Sequence, residues 1–334
     1  MSSSITSFKK GKKTSTNTYE FDQYYRQPDE RTGWKMVQDW LYNPRKGTVF
    51  GHTKKRWGIV GLFYLVFYSV LALLCGICYC GLMASIDKHR PTYTLRDSII
   101  GTNPGLGFRP MPHDAEQRSL LWYASDNSTA IREYVDSLDN FLEKYHNKSM
   151  LPFEGRTQMI CDYQRPPEPN KVCAVDINDW GPCSRANSYG FNNSSPCIFI
   201  KLNRIYDWQP EFYNNASELP EDMPEDLKEH IKKAPKEQLN TIWVSCAGEK
   251  QVDKEHIGEI EYYPKSRGFP GYYYPYVNDD EYLSPLVAVH FKRPKNDEII
   301  YIECRAWAKN IKYESKRNEK IGAVHFELQI DNKA

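Results

Sequence analysis

A chain of 334 residues with 44 basic and 43 acidic side chains, a net charge of only +1, offers almost no net charge to a nucleic acid, and its 40% hydrophobic content is ordinary. The distribution excludes an evenly mixed chain: from residue 57 to residue 86 there is no Asp, Glu, Lys or Arg. Twelve of the basic and five of the acidic residues precede that run, so the front carries +7 and everything after it −6.

Residues 1 to about 33 are polar, with the run Lys9-Lys10-Gly11-Lys12-Lys13, and cannot bury enough apolar area to order themselves. A solvated tail is expected there, with attachment to anionic lipid as the lesser alternative. Residues 34–50 are more aromatic and are expected at the cytosolic membrane interface, and 1–56 as a whole reads as a cytosolic tail. The uncharged run 57–86 would rise about 45 Å as a helix, against a hydrocarbon core of about 30 Å, and reads as one transmembrane helix. It begins too deep in the chain and runs too long for a cleaved signal peptide, and its length suits a thick plasma membrane. Arg45, Lys46, Lys54, Lys55 and Arg56 on its near side outweigh Lys88, Arg90 and Arg96 on its far side, which places the N-terminus in the cytosol. Cys75, Cys78 and Cys80 have a redox-like spacing, but a thiolate is costly in hydrocarbon, so small helix residues are the expected role. Palmitoylation of Cys80 does not fit, because this orientation sets it toward the outer leaflet.

Beyond the helix the sequence carries marks of an oxidising compartment. Cys161, Cys173, Cys183, Cys197, Cys246 and Cys304 all follow it, and no cysteine precedes it. Sequons begin at Asn127, Asn147, Asn192, Asn193 and Asn215, where the adjacency of Asn192 and Asn193 disfavours filling both. Residues 87–114 contain Pro91, Pro104, Pro110 and Pro112 without a sustained period and read as an extended stalk. Residues 115–334 read as a disulfide-bonded, glycosylated ectodomain. Within it, Ile131, Tyr134, Val135, Leu138, Leu142 and Tyr145 predict an amphipathic helix over 128–145. Segments 197–202, 241–244, 286–291, 299–302 and 323–328 are short, β-branched or aromatic and bounded by turn residues, so they predict strands of an antiparallel sandwich. Cys246 and Cys304 each close a predicted strand, and a link between strands so far apart in the chain resembles an immunoglobulin-like arrangement. Spacing alone does not choose among the pairings that six cysteines allow.

A short tail, one span, a stem and a lumenal domain is also the layout of many Golgi glycosyltransferases. No Asp-x-Asp is present, and the nearest cluster, Asn278-Asp279-Asp280-Glu281, reads as an exposed acidic loop. There is no Gly-x-Ser-x-Gly, no His-Glu-x-x-His and no phosphate loop, and His290 and His325 fall in predicted strands, where structural histidines are the default. Catalytic, cofactor and metal residues are therefore not assigned.

Leu62-Phe63-Tyr64-Leu65-Val66-Phe67-Tyr68 resembles the Phe-Tyr-x-x-Phe-Tyr membrane signature of the sodium/potassium-transporting ATPase beta subunits. The resemblance continues in order through Arg90-Pro91-Thr92-Tyr93, Asn103-Pro104-Gly105-Leu106, Tyr189-Gly190-Phe191 and Pro196-Cys197-Ile198-Phe199-Ile200-Lys201-Leu202-Asn203-Arg204. It ends with Gly268-Phe269-Pro270, Tyr273-Tyr274-Pro275-Tyr276, Leu286-Val287-Ala288-Val289 and Ile302-Glu303-Cys304-Arg305-Ala306. It implies a non-catalytic subunit of a sodium/potassium-exchanging P-type ATPase, a single-pass type II membrane protein with an immunoglobulin-like antiparallel sandwich and an added helix. The implied pairing is Cys161–Cys173, Cys183–Cys197 and Cys246–Cys304. The implied partners are the catalytic alpha subunit, plasma-membrane lipid and a small single-span regulatory subunit, and the implied roles are folding, export and potassium affinity. The sequence departs from the family pattern where Val277-Asn278-Asp279 follows Tyr276 and where Ser69 follows Tyr68. The beta subunit of a proton/potassium pump and a cell-adhesion or junction glycoprotein are the alternatives.

Two partner surfaces are expected. Phe63, Tyr64, Phe67 and Tyr68 fall within about 140° of one helix face, and in the family this face meets the seventh membrane helix of the catalytic subunit. A lipid-facing aromatic belt is the bland alternative, and it explains Tyr64 near the headgroups better than Tyr68 deeper in the bilayer. Tyr272, Tyr273, Tyr274 and Tyr276 form the second surface, against the alternative of a turn whose tyrosines pack on the sandwich.

Overall fold

The computed structural model describes residues 32–87, 89–112, 119–148, 157–215, 217–316 and 319–333, and the chain separates into two units, Met1–Ser85 and Ile86–Ala334. In the first, helix α1 (Gly33–Leu41) runs into three two-residue antiparallel strands, β1 (Tyr42–Asn43), β2 (Thr48–Val49) and β3 (His52–Thr53). The meander turns after β1 because Asn43 Oδ1 accepts the backbone N–H groups of Arg45 and Lys46, and Gly47 adopts φ +60°. With no residue between, β3 leads into helix α2 (Lys54–Ser85), 32 residues whose most apolar stretch has mean hydropathy 2.3. Among the described residues it is the one helix long and apolar enough to span a membrane. It begins three residues before the uncharged run, with Lys54-Lys55-Arg56 as its first turn.

The second unit holds two sheets. Strands β4 (Leu106–Arg109), β8 (Cys197–Leu202), β10 (Ile260–Tyr263) and β12 (Leu286–Phe291) form one, in the order β10-β12-β8-β4, antiparallel throughout. Strands β5 (Leu120–Ala124), β9 (Thr241–Gly248), β11 (Gly268–Pro270), β13 (Ile300–Trp307) and β16 (Ala323–Asp331) form the other, in the order β11-β9-β13-β16-β5. Two small pairs, β6 (Gln158–Met159) with β7 (Val172–Cys173) and β14 (Glu314–Lys316) with β15 (Glu319–Ile321), complete it. On β13 the two-residue period is plain: Ile300, Ile302, Cys304 and Ala306 are buried, while Tyr301, Glu303 and Arg305 are partly open. The sheets meet through Phe326 of β16, whose ring lies 5.0 Å from Phe108 of β4 and 6.2 Å from Phe291 of β12.

Strands β8 and β12 read as continuous apolar runs because the four-stranded sheet is covered on both sides. Its far side lies under a 3₁₀ segment, Arg185–Asn193, and Phe199 there meets the rings of Trp180 and Tyr189. Gly190 in this segment has φ +78°, and a Cβ there would collide with the Ser195 carbonyl, so only glycine fits. Helix α3 (Ser128–Lys148) buries the expected stripe of Ile131, Tyr134, Leu138, Leu142 and Tyr145, with Tyr134 stacked on Phe191 at 5.5 Å. Helices α4 (Glu225–Lys233) and α5 (Gln251–His256) flank the five-stranded sheet; Leu227 and Ile231 of α4 pack with Trp243 and Trp307 in a second cluster.

Three expectations change. The supposed stalk contributes a strand: Leu106 and Phe108 point into the core as β4, a two-residue alternation masked by Gly105, Gly107 and Pro110. Two pairs, β16 with β5 and the small β6 with β7, are parallel; for the first, the long crossover that a parallel pair needs is supplied by α3 and all that lies between them. Cys246 and Cys304 sit opposite each other on the adjacent strands β9 and β13, so their disulfide lies within one sheet and does not pin the two sheets as in antibody domains. The bonds are Cys161–Cys173, Cys183–Cys197 and Cys246–Cys304, the pairing the resemblance implied. Replacing Cys246 and Cys304 together by serine removes a crosslink spanning 58 residues, which loop entropy values at about 4 kcal/mol, against about 3 kcal/mol for Cys161 with Cys173 at 12. The larger fall in the thermal unfolding midpoint of the purified protein is expected for the Cys246/Cys304 pair.

Candidate functional site

On α2 the four aromatic side chains form a ladder. Phe63 stacks on Phe67 at 6.2 Å and Tyr64 on Tyr68 at 5.9 Å, while edge contacts of 5.5 Å (Phe63 to Tyr64) and 5.3 Å (Phe67 to Tyr68) tie the two columns together. The ladder follows from the spacing of four, which places each ring one helical turn above its like. All four are exposed, Tyr68 to 59%. Next to it, Ser69 settles its own hydroxyl by donating to the Leu65 carbonyl at 2.7 Å.

The tyrosine turn of the second unit divides into two pairs. Gly271 lets the chain pass close to Phe212, where a Cβ would strike the ring, and its N–H donates to the Asn240 carbonyl at 2.8 Å. Tyr273 and Tyr274 then pack against the main core: the Tyr273 hydroxyl donates to the Ala174 carbonyl at 2.9 Å, and Tyr274 meets Trp208 edge-on at 5.8 Å. The buried Tyr274 hydroxyl has no hydrogen-bond partner. Tyr272 and Tyr276 are partly buried as well. Tyr272 meets Tyr163 edge-on at 5.3 Å and Tyr273 at 4.7 Å. Tyr276 contacts Tyr282 at 4.9 Å beneath the Arg204 guanidinium, which lies 5.2 Å and 5.0 Å from those two rings. Burial pushes the Tyr272 phenol up to about 12 and those of Tyr273 and Tyr274 well above their ordinary value, so all three stay neutral. Tyr273 and Tyr274 thus pack, partly buried, against the main core.

Where the sequence departs from the family pattern, Asn278 accepts the Tyr276 hydroxyl at 2.9 Å and its amide donates to the His89 carbonyl at 3.4 Å. The acidic cluster beside it is fastened to the fold instead of hanging free. Glu281 accepts the Thr157 N–H at 2.8 Å, and Asp279 accepts the Glu281 N–H at 2.8 Å. Among the described residues no group of acidic, histidine or cysteine side chains could hold a metal ion.

The sequon asparagines Asn127, Asn192, Asn193 and Asn215 are all exposed. Asn127 caps α3 by accepting the N–H groups of Thr129 and Ala130, Asn192 donates to Ser188 Oγ at 2.9 Å, and Asn215 accepts the Ser217 N–H at 3.1 Å. The side chain of Asn147 lies outside the described residues.

One arrangement that the sequence did not announce joins Ser195, His290 and Glu261. Ser195 Oγ lies 2.8 Å from His290 Nε2, and Glu261 lies 3.9 Å from His290 Nδ1. The residue types are those of a hydrolase triad, but the geometry closes a strand end. The Ser195 hydroxyl also faces the carbonyls of Phe291 and Lys292 at 2.9 and 3.0 Å, and Glu261 is engaged by Lys292 at 2.8 Å and the Tyr263 hydroxyl at 3.0 Å. Lys292 beside it holds the Glu261 carboxyl down at about 2. Burial lowers His290 below its ordinary value, only partly offset by Glu261.

The class these features define is a single-span membrane protein with a disulfide-bonded β-sandwich domain and an aromatic face on its span. The family model "Sodium / potassium ATPase beta chain" matches residues 27–326. The chain is 48% identical over 315 residues to the sodium/potassium-transporting ATPase subunit beta-2 of Drosophila melanogaster, covering 93% of this chain and 97% of that one. It is 40% identical to that organism's subunit beta-1, covering 89% of this chain and 93% of the relative. Against the human subunit beta-2 it is 27% identical over 323 residues, 91% and 98% of the two chains. The chain belongs to the sodium/potassium ATPase beta chain family, and it is a non-catalytic subunit.

Two predictions follow from the packing. Tyr273→Phe strands the Ala174 carbonyl and should cost about 1 kcal/mol, whereas Tyr274→Phe removes an unpaired buried hydroxyl and should be neutral or stabilising; thermal melts of the two variants decide it. Because folded His290 resists protonation, the unfolded chain takes up that proton first as the pH falls. The stability tied to neutral His290 is thus complete above the ordinary value of 6.5 and is lost as the pH drops below it. His290→Gln should flatten the acid side of the melting-point profile in that window.

Proposed function

We propose that this chain serves as the beta subunit of a sodium/potassium-exchanging P-type ATPase at the plasma membrane, with its N-terminus cytosolic and its second unit extracellular. In this role it binds the catalytic alpha subunit, helps it fold and leave the endoplasmic reticulum, and tunes its affinity for potassium. The observation that carries the reading is the exposed ladder of Phe63, Tyr64, Phe67 and Tyr68 on the one span of a chain that belongs to this family. Stacked rings present a stiff, preordered surface, so little side-chain entropy is lost when another membrane helix packs on it. Positive charge at the near end of the span and the six disulfide-bonded cysteines beyond it support the orientation. All four tyrosines of the turn are partly buried; in this reading Tyr272 and Tyr276 meet the partner, while Tyr273 and Tyr274 pack on the core. Membrane lipid and a small single-span regulatory subunit are further contacts of the same helix in this reading.

Affinity purification of the chain in mild detergent is expected to recover a P-type ATPase catalytic chain. With Tyr64→Leu and Tyr68→Leu together, loss of two interhelical hydrogen bonds should weaken that association roughly tenfold at unchanged surface expression. Undiminished recovery and unchanged cation affinity in the double variant would refute the role given to the ladder.

A further inference from the structure

Helix α1 presents an apolar face that, among the described residues, only Phe50 and Gly51 touch, at Trp40. At 100° per residue Trp34, Val37, Trp40 and Leu41 fall within about 120° of one another, with Lys35, Gln38 and Asp39 on the other side. All four are exposed, Trp34 to 76% and Trp40 to 57%, and no residue of the helix is buried. Nine residues with no side-chain N-cap make a helix too short to be stable alone in water, so an apolar face of this kind calls for a surface.

The rest of the unit indicates which surface. The end of α1 is tied to the meander by Phe50 N–H donating to the Leu41 carbonyl and Gly51 N–H to the Trp40 carbonyl, each at 3.1 Å. An aromatic series then continues without a gap: Trp40 lies 5.2 Å from Phe50, Phe50 6.4 Å from Trp57, and the Trp57 indole N–H donates to the Val49 carbonyl at 2.8 Å. Trp57 belongs to the first turn and a half of α2, where the charged residues give way to the apolar span. The series therefore leads from α1 to the mouth of the membrane helix. Over residues 33–56 six cations, Lys35, Arg45, Lys46, Lys54, Lys55 and Arg56, stand against the single carboxylate of Asp39.

We propose that α1 and the meander lie on the lipid surface at the N-terminal mouth of the span, with Trp34, Val37, Trp40 and Leu41 in the headgroup region and the cations against anionic lipid. Exposed tryptophans on one face of an amphipathic helix, five cations in the segment that follows it and direct continuity with a span are the features that select a bilayer surface over a folded partner domain. The assignment does not depend on which side of the membrane holds the N-terminus, nor on the identity of the pump partner.

The test places the photoreactive residue benzoylphenylalanine at Trp34, at Asp39 on the opposite arc, and at Leu65 inside the span as a positive control. The full chain, with whatever copurifies, is reconstituted in nanodiscs of phosphatidylcholine and phosphatidylserine, irradiated, and its adducts are identified by mass spectrometry. Lipid adducts at position 34 should approach those at 65 and exceed those at 39 by about fivefold, as expected for one face sunk about 5–10 Å into the boundary. Adducts at 34 falling mainly on another polypeptide, or lipid adducts no more frequent at 34 than at 39 while 65 reacts, would overturn the proposal.

Discussion

Phe326 is the contact on which the second unit depends. Fully buried on β16, it touches Phe108 and Phe291 from two different strands of the opposing sheet, so one side chain fixes the spacing of both layers. Aromatic pairs of this kind add to the area they bury by preferring particular offsets, which gives the interface a geometry as well as an energy. Its partners come from far apart in the chain. Phe108 follows the membrane span by a short proline-containing segment and Phe291 sits after the tyrosine turn, so the core closes only when the first and last thirds of the unit are both in place. The disulfide between Cys246 and Cys304 reinforces the neighbouring strands β9 and β13 within one sheet, leaving the union of the two sheets to side-chain packing.

That core also decides what the surface can offer. Tyr273 and Tyr274 extend it outward through Ala174 and Trp208, which fixes the backbone of the turn. Tyr272 and Tyr276 are then held by their neighbours, Tyr272 against Tyr273 and Tyr276 against Tyr282 beneath Arg204. Tyr273, hydrogen-bonded to Ala174, thus gives Tyr272 beside it a defined position.

How much of this could be read from residues alone depended on whether a local period survived. Strands β8 and β12 were legible because continuous β-branched and aromatic runs signal burial on both faces, and α3 because its stripe of six apolar residues keeps the helical spacing. Strand β4 was not, since two inward residues separated by glycine and flanked by proline look like a loop. The meander β1–β3 went unseen because two-residue strands carry no period at all. The anchoring of Tyr273 on Ala174 and of Tyr274 on Trp208 was equally out of reach, for those partners lie 99 and 66 positions away. The aromatic face of the span was legible, because a spacing of four maps directly onto one side of a helix.

The polar atoms of that face give it a direction. Ser69 can turn its hydroxyl back onto the Leu65 carbonyl, so it costs a hydrocarbon environment little. A tyrosine on a helix cannot do the same, because the rigid ring carries its hydroxyl away from the backbone that could receive it. For Tyr64, nearer the charged end of α2, headgroups and water are close enough to accept. Tyr68 lies another turn inward, about 6 Å further along the axis, where lipid offers no acceptor and an unmet hydroxyl is costly. The hydroxyls of the aromatic face thus grow costlier in hydrocarbon from Tyr64 to Tyr68.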